Sequence, residues 1–202
     1  MALGHLRRLA LAAAVACLLL AAIVLVISRP RVARPTTYAG MPVVPAKPAP
    51  DALLVDQNGV PAHLIDPAYS LTFLFFGYTH CPDECPLALG SLAKAYRALP
   101  PERAARTRVV FVSVDPTRDV PAVMRKYVSA FDPHFVGLTG TNAQLAPVWK
   151  AYGVAIERTT RELAHGDAIY AIDATQHVVL IYPPDAPPAD LSADAIKLTA
   201  PR

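Results

Sequence analysis

The stretch FLFFGYTHCPDECPLAL, from Phe73 to Leu89, constrains this chain more than any other. Phe73, Leu74, Phe75 and Phe76 form an unbroken apolar run, short enough for a fully buried strand. Gly77 and Tyr78 lead into a polar turn, and from about Glu84 to Ala98 the pattern becomes helical. Cys81 and Cys85 sit where strand gives way to helix, four residues apart. Positions i and i+4 share a helix face, so both sulfurs are able to converge on one point. The free N–H groups and positive dipole end of a helix stabilise thiolate, which is both nucleophile and metal ligand. Two thiolates are a soft donor set, suited to Cu(I), zinc or disulfide chemistry. Pro82, Asp83, Glu84 and Pro86 make the turn polar, which argues against two cysteines acting as buried apolar filler.

Strands and helices alternate along the rest of the chain. Leu53-Leu54-Val55 and Val60 to Ile65 flank Asp56-Gln57-Asn58-Gly59, which predicts a β-hairpin with Asn-Gly as its turn. Arg108 to Val114 predicts a second buried strand, Phe135 to Leu138 a short one, and Ala168 to Ile172 with Val178 to Tyr182 a second hairpin. The helix after Cys85 is expected to bury Leu87, Leu92 and Ala95 or Tyr96. A second helix runs from Asp119, read as N-cap with Pro121 in the first turn, to about Ala130. A third spans residues 142–151 around Trp149 and closes at Gly153. A last short helix covers Leu191 to Leu198, with Ser192 as its cap. This order fits an α/β chain, a thioredoxin-like three-layer sandwich with an N-terminal hairpin.

That domain is expected over residues 51–202, behind two appendages. Leu9 to Ile27 is nineteen residues without a charge or a proline. At about 1.5 Å per residue it nearly spans the ~30 Å hydrocarbon core of a bilayer. Arg7 and Arg8 precede it and Ile-Ser-Arg-Pro-Arg follows, so residues 1–29 read as a tail and an uncleaved transmembrane anchor. Residues 30–50 contain six prolines and read as an extended, semi-rigid linker. Six of the nineteen Lys and Arg, and none of the sixteen Asp and Glu, lie in residues 1–50. The domain is therefore mildly acidic and lacks the basic stripe that nucleic-acid binding requires, so no nucleic-acid partner is expected. Of three cysteines, Cys17 falls inside the apolar span, which excludes a disulfide framework.

Gly77 to Pro86, GYTHCPDECP, resembles the signature of the Sco/SenC family, copper-binding proteins of thioredoxin-like fold that assist cytochrome c oxidase assembly. Ser113 to Asp119 (SVDPTRD) resembles the family's Asp-Pro-x-Arg-Asp segment. Gly137-Leu138-Thr139-Gly140 resembles another element, and His165 to Asp173 (HGDAIYAID) resembles its histidine before a Tyr-rich strand. The resemblance covers about residues 51–183. It implies copper, as Cu(I) or Cu(II), held by Cys81, Cys85 and His165, and metal handling instead of turnover of a small substrate. The implied partners are the copper-site subunit of cytochrome c oxidase and other copper carriers. The implied location is the cytoplasmic membrane, with the domain on its periplasmic or outer side.

An imidazole suits such a site because it is a borderline donor able to serve both copper oxidation states. His165 is expected in a loop just before the strand at Ala168, facing the cysteine turn. His80 adjoins Cys81, but neighbours in a turn point apart. His63, His134 and His177 read as surface residues, and His5 lies in the N-terminal tail. Many family members read Asp-His-Ser or Asp-His-Thr at the histidine, whereas this chain reads Ala164-His165-Gly166.

Other chemistries remain open for the same cysteines. Cys81 and Cys85 could form the redox pair of a thiol-disulfide oxidoreductase. Three residues separate them where thioredoxins have two, and no proline lies between Pro147 and Pro183 to serve as the usual cis-proline. A peroxidase of the peroxiredoxin type would need one cysteine and no histidine, and Tyr78-Thr79-His80-Cys81 matches its Thr-x-x-Cys contact only loosely. A structural zinc site usually takes four protein ligands, and three are in view.

Overall fold

The structure, a computed structural model, describes residues 19–20, 37–154, 156–158, 163–165 and 168–201. The chain divides into two compact units, 1–37 and 38–202. In the first, Leu19 and Leu20 are helical and exposed. The rest of the apolar span, Cys17 included, lies outside the described residues. Among the described residues no helix is long and apolar enough to cross a membrane.

In the second unit β1 (Met41–Pro48), β2 (Leu53–Asp56), β3 (Pro61–His63) and β4 (Leu71–Gly77) precede helix α1 (Glu84–Arg97) and the short α2 (Pro101–Ala104). There follow β5 (Thr107–Ser113), α3 (Pro121–Phe131), β6 (Val136–Thr139) and α4 (Asn142–Ala151). The chain continues with β7 (Ile156–Arg158), β8 (Leu163–His165), β9 (Ile169–Asp173), β10 (His177–Tyr182) and α5 (Pro188–Leu198). Eight of the strands form one sheet in the order β1-β10-β9-β4-β5-β6-β2-β3. The β4–β5 and β5–β6 pairs are parallel, and the other pairs in this sheet are antiparallel.

Every residue of β4 and β5 is buried, as their unbroken apolar runs require of strands covered on both faces. The two-residue period sends alternate side chains to opposite layers. Phe73, Phe75, Val109 and Phe111 meet Ala88, Leu89 and Leu92 of α1, Met124 and Val128 of α3, and Leu191 and Ala195 of α5. Leu74, Phe76, Val110 and Val112 meet Leu145, Val148 and Trp149 of α4, with Leu54 and Leu64. These are the three layers expected. The hairpin turn at Asn58-Gly59 also forms: Gly59 has φ +80° and the Asp56 carboxylate accepts the N–H groups of Asn58 and Val60 at 2.8 and 2.9 Å.

Several elements differ from expectation for local reasons. Leu87 is 50 % exposed. The buried face of α1 runs through Cys85, Ala88, Leu89, Leu92 and Ala95, and two positions beyond Cys85 lie about 200° round the helix. The cap of α3 is Val120 in extended backbone, leaving Asp119 to turn inward. Likewise α5 starts earlier, capped by Pro187, so Ser192 lies inside it and its hydroxyl donates to the Ala189 carbonyl at 3.0 Å. Within the stretch read as linker, Met41–Pro48 pairs with β10 as the outermost strand. Prolines are tolerated at such an edge because their missing N–H breaks no interior ladder. The buried Asp194 of α5 secures this entry, accepting the N–H groups of Ala39 and Gly40 at 2.8 and 3.0 Å. Finally, β7 and β8 form a separate two-stranded sheet where only a loop was expected.

Candidate metal centre

The cysteine turn lies beyond the carboxyl end of β4. Gly77 closes the strand opposite Ser113 of β5, and a Cβ on Gly77 would lie 2.6 Å from the Cys85 sulfur and 2.7 Å from the Phe111 ring. A glycine here is therefore what lets the sulfur sit against the sheet. The chain then reverses, with the Cys81 N–H donating to the Tyr78 carbonyl at 3.1 Å, and α1 begins at Glu84.

The N-cap residue Asp83 makes no side-chain cap bond. Instead the Cys85 N–H, one of the first-turn donors without a helical partner, points at the Cys81 sulfur at 3.4 Å. The turn ahead of α1, and not the shared helix face expected, thus brings the two cysteines together: Cys81 lies before the helix and is half-buried, Cys85 lies in its first turn and is fully buried, and both are thiols. Burial pushes the Cys85 thiol up, against a lowering hydrogen bond from the Tyr78 backbone, and the neighbouring Cys81 adds to the rise. A metal taking both sulfurs must displace the Cys85 proton, which only a cation with strong thiolate affinity achieves.

Two carboxylates brace the turn. Asp119, read from sequence as a helix cap, is fully buried. It accepts the Thr79 hydroxyl at 2.6 Å, the Thr79 N–H at 3.2 Å and the Ser113 hydroxyl at 2.7 Å. It therefore fastens the start of the cysteine turn to the end of β5. Asp115, also buried, pairs with Arg118 and accepts the Thr117 hydroxyl at 2.8 Å. The Arg118 guanidinium lies 5.9 Å from the centre of the Tyr78 ring, a second link to the turn. The Asp-Pro-x-Arg-Asp segment was the one sequence signal for this bracing.

The histidines separate clearly. His80 is exposed, 3.1 Å from the Thr79 hydroxyl. His63 pairs with Asp51, His134 with Asp132, and His177 with Thr175, all away from the cysteine turn. His165 ends β8 instead of lying in a loop, its backbone paired with Ile156. Its side chain, like His5, lies outside the described residues. Ile156 and Cys81 border the same apolar cluster. Among the described side chains no three of His, Cys, Asp and Glu converge as a metal-binding group. They provide a soft two-sulfur donor set at a helix N-terminus. Such a set fits a thiophilic ion better than a hard one.

Residues 48–200 match the model of the SCO1/SenC family. The chain belongs to the SCO1/SenC family. A putative copper-binding protein of Stutzerimonas stutzeri is 34 % identical over 134 residues, covering 66 % of this chain and 64 % of that protein. The match thus spans a little under two thirds of that relative's length. Among solved structures, apo Sco1 from Thermus thermophilus is 33 % identical with a TM-score of 0.73, covering 82 % of this chain and 99 % of that one. Copper-bound ScoI of Bradyrhizobium japonicum is 35 % identical with a TM-score of 0.68, covering 74 % and 98 % respectively. The eight-stranded sheet with its helices is thus the thioredoxin-like Sco fold.

Proposed function

We propose that this chain is a membrane-anchored copper chaperone that binds copper through Cys81, Cys85 and His165 and assists assembly of the copper site of cytochrome c oxidase. The observation that carries this reading is the contact at the start of α1, where the Cys85 N–H meets the Cys81 sulfur on a turn braced by Asp119. Two thiols held in this way need lose only their protons to become a chelate. Copper in the Bradyrhizobium relative and the family signature around Cys81 and Cys85 support it. The copper is cargo, passed by ligand exchange to the oxidase subunit. The apolar span 9–27 would hold the domain on the periplasmic side of the cytoplasmic membrane, within reach of that partner.

The test is an anaerobic copper titration of the full-length chain in detergent against a competing chelator. One equivalent bound tightly, with a Cu(II)–thiolate charge-transfer band lost in Cys81→Ala, Cys85→Ala and His165→Ala, is the expected result. Weak binding that ignores His165→Ala removes the three-ligand site. A periplasm-dependent reporter fused after Arg202 that stayed silent would overturn the orientation.

One observation favours a second reading as a thiol-disulfide reductase. Cys81 is half-exposed and Cys85 buried, the asymmetry of an attacking and a resolving thiol. In that case Cys81 attacks a partner's disulfide, Cys85 displaces the mixed disulfide, and the partner leaves with two thiols. Reduction of a partner peptide by the metal-free chain, lost in Cys85→Ala, would separate this role from copper delivery.

A further inference from the structure

A small cleft of about 230 Å³ opens at the carboxyl end of β6. Val55 and Thr139 line it on the sheet, Pro116, Val120 and Pro121 on one side, and the start of α4 on the other. Val55 and Thr139 are paired across β2 and β6, so their side chains share a face. A Cβ on Gly137 would meet Met124 and Val128 of α3 at 3.1 and 3.2 Å, so by the two-residue period Thr139 points to the α3 side as well. That is the side on which Val120 and Pro121 stand. Thr139 is 4 % exposed, and its hydroxyl has no hydrogen-bond partner among the described residues. Val120, at the rim, is 46 % exposed. A buried hydroxyl left without an acceptor is costly and uncommon in a native fold, and at the floor of a cleft it calls for an acceptor brought by a ligand. The apolar lining with one polar group inside it is how a site for an apolar group with a fixed orientation is built.

The cleft is continuous with the thiol-bearing end of the sheet. Gly77 lies beside Ser113 and Val112 beside Leu138, so Gly77, Ser113 and Thr139 end three neighbouring strands in one row. Two strand spacings, about 10 Å, separate the first from the last. The bare face of Gly77 meets the Cys85 sulfur and the Phe111 ring, and both pack in the layer of α1 and α3, so thiols and cleft share one face. Pro116 and Val120 flank Asp119, whose bonds to Thr79 tie the cleft wall to the cysteine turn. Ligand exchange brings the acceptor's cysteines to Cys81 and Cys85, and three residues of extended chain cover the remaining 10 Å or so. Resting on the copper-delivery reading above, we propose that this cleft docks the copper acceptor. An apolar side chain of leucine or phenylalanine size, about three residues from an acceptor cysteine, seats in it, and a backbone carbonyl beside that side chain accepts the Thr139 hydroxyl. For each Cu–S bond to Cys81 or Cys85 that then breaks, one to an acceptor cysteine forms. The acceptor's thiol proton passes to the sulfur left behind, and copper stays Cu(I).

The test is calorimetric binding of the full-length, metal-free chain in detergent to the copper-free copper-site subunit of cytochrome c oxidase. Val120→Asp puts a charge at the mouth of the cleft and an accepted N-cap residue at the start of α3, so the helix is kept. Met41→Asp makes the same change of charge at a residue 70 % exposed on β1, the opposite edge strand of the sheet. Val120→Asp should weaken binding at least about ten-fold by expelling the apolar side chain, and Met41→Asp should leave it unchanged. Thr139→Val, which keeps the shape and removes the hydroxyl, should weaken it by about five-fold without lowering the melting temperature. Cu(I) affinity should stay at the wild-type value in all three. Unchanged binding in Val120→Asp, or an equal loss in Met41→Asp, would overturn the docking site and leave the copper reading standing. Binding that falls only together with the melting temperature would make these residues structural and overturn it too. A wild type that takes up Cu(I) but does not bind the subunit would overturn this inference alone. A wild type that does neither brings down the chaperone reading and the docking site with it.

Discussion

Two buried aspartates, Asp119 and Asp194, do the same job in two regions of the molecule with different partners. Each gathers backbone and hydroxyl donors from distant parts of the chain. Asp194 takes the N–H groups of Ala39 and Gly40, the Tyr182 hydroxyl at 3.0 Å and the Lys197 ammonium at 2.8 Å. The two differ in one respect: among the described residues, Asp119 is bonded only by the neutral donors of Thr79 and Ser113. One carboxylate with a cation seats the entering strand. The other, without a cation, fixes the turn that presents the thiols. A strand needs only to be held; at the turn the nearby cation, Arg118, is taken by Asp115 instead, which leaves Asp119 to the donors of Thr79 and Ser113.

The comparison breaks first at the larger of the two sites. Asp194→Ala leaves several buried donors and a lysine without their acceptor, and should cost about 3–5 kcal/mol. Chemical denaturation would show this, with Cu(I) affinity of the remaining folded fraction unchanged. Asp119→Ala should cost less, about 3 kcal/mol at most for its neutral donors. It should, however, weaken copper binding at least ten-fold by loosening Thr79. Equal copper affinity in both variants would erase the functional distinction between the two aspartates.

Gly77→Ala probes the same turn from the sheet side. The added Cβ must displace the Cys85 sulfur or the Phe111 ring, an overpacking expected to cost about 2 kcal/mol and visible as a lowered melting temperature. The smallest effect is one of pH. Burial raises the Asp194 pKa, but the bonds from Lys197, Gly40, Tyr182 and Ala39 outweigh it and hold the carboxyl below its ordinary 3.8. A depressed pKa contributes stability above the unfolded value, lost as pH falls through the folded one. The stability gap between wild type and Asp194→Asn should therefore hold at neutral pH and close progressively below pH 3.8.

How much of this was legible depended on whether neighbours in sequence are neighbours in space. The β4–turn–α1 unit is local: an apolar run, a polar turn and two cysteines at helical spacing announce it. Asp119 misleads because an aspartate two residues before Pro121 has every local mark of a cap. Its actual donors, Thr79 and Ser113, are brought to it by the fold. Met41–Pro48 reads as a linker because prolines hide a strand that exists only through β10. The strands IER and LAH of β7 and β8 are three residues each, too short for any period to show.

The seating of β1 also sets a direction. Met41 lies beside Ile181, Ile181 beside Tyr170, and Tyr170 beside Leu74, three residues short of Gly77. The chain thus enters the sheet near the end from which the thiols project, three strand spacings or about 14 Å to one side. A leash fastened there pulls on the thiol-bearing end and not on the opposite one.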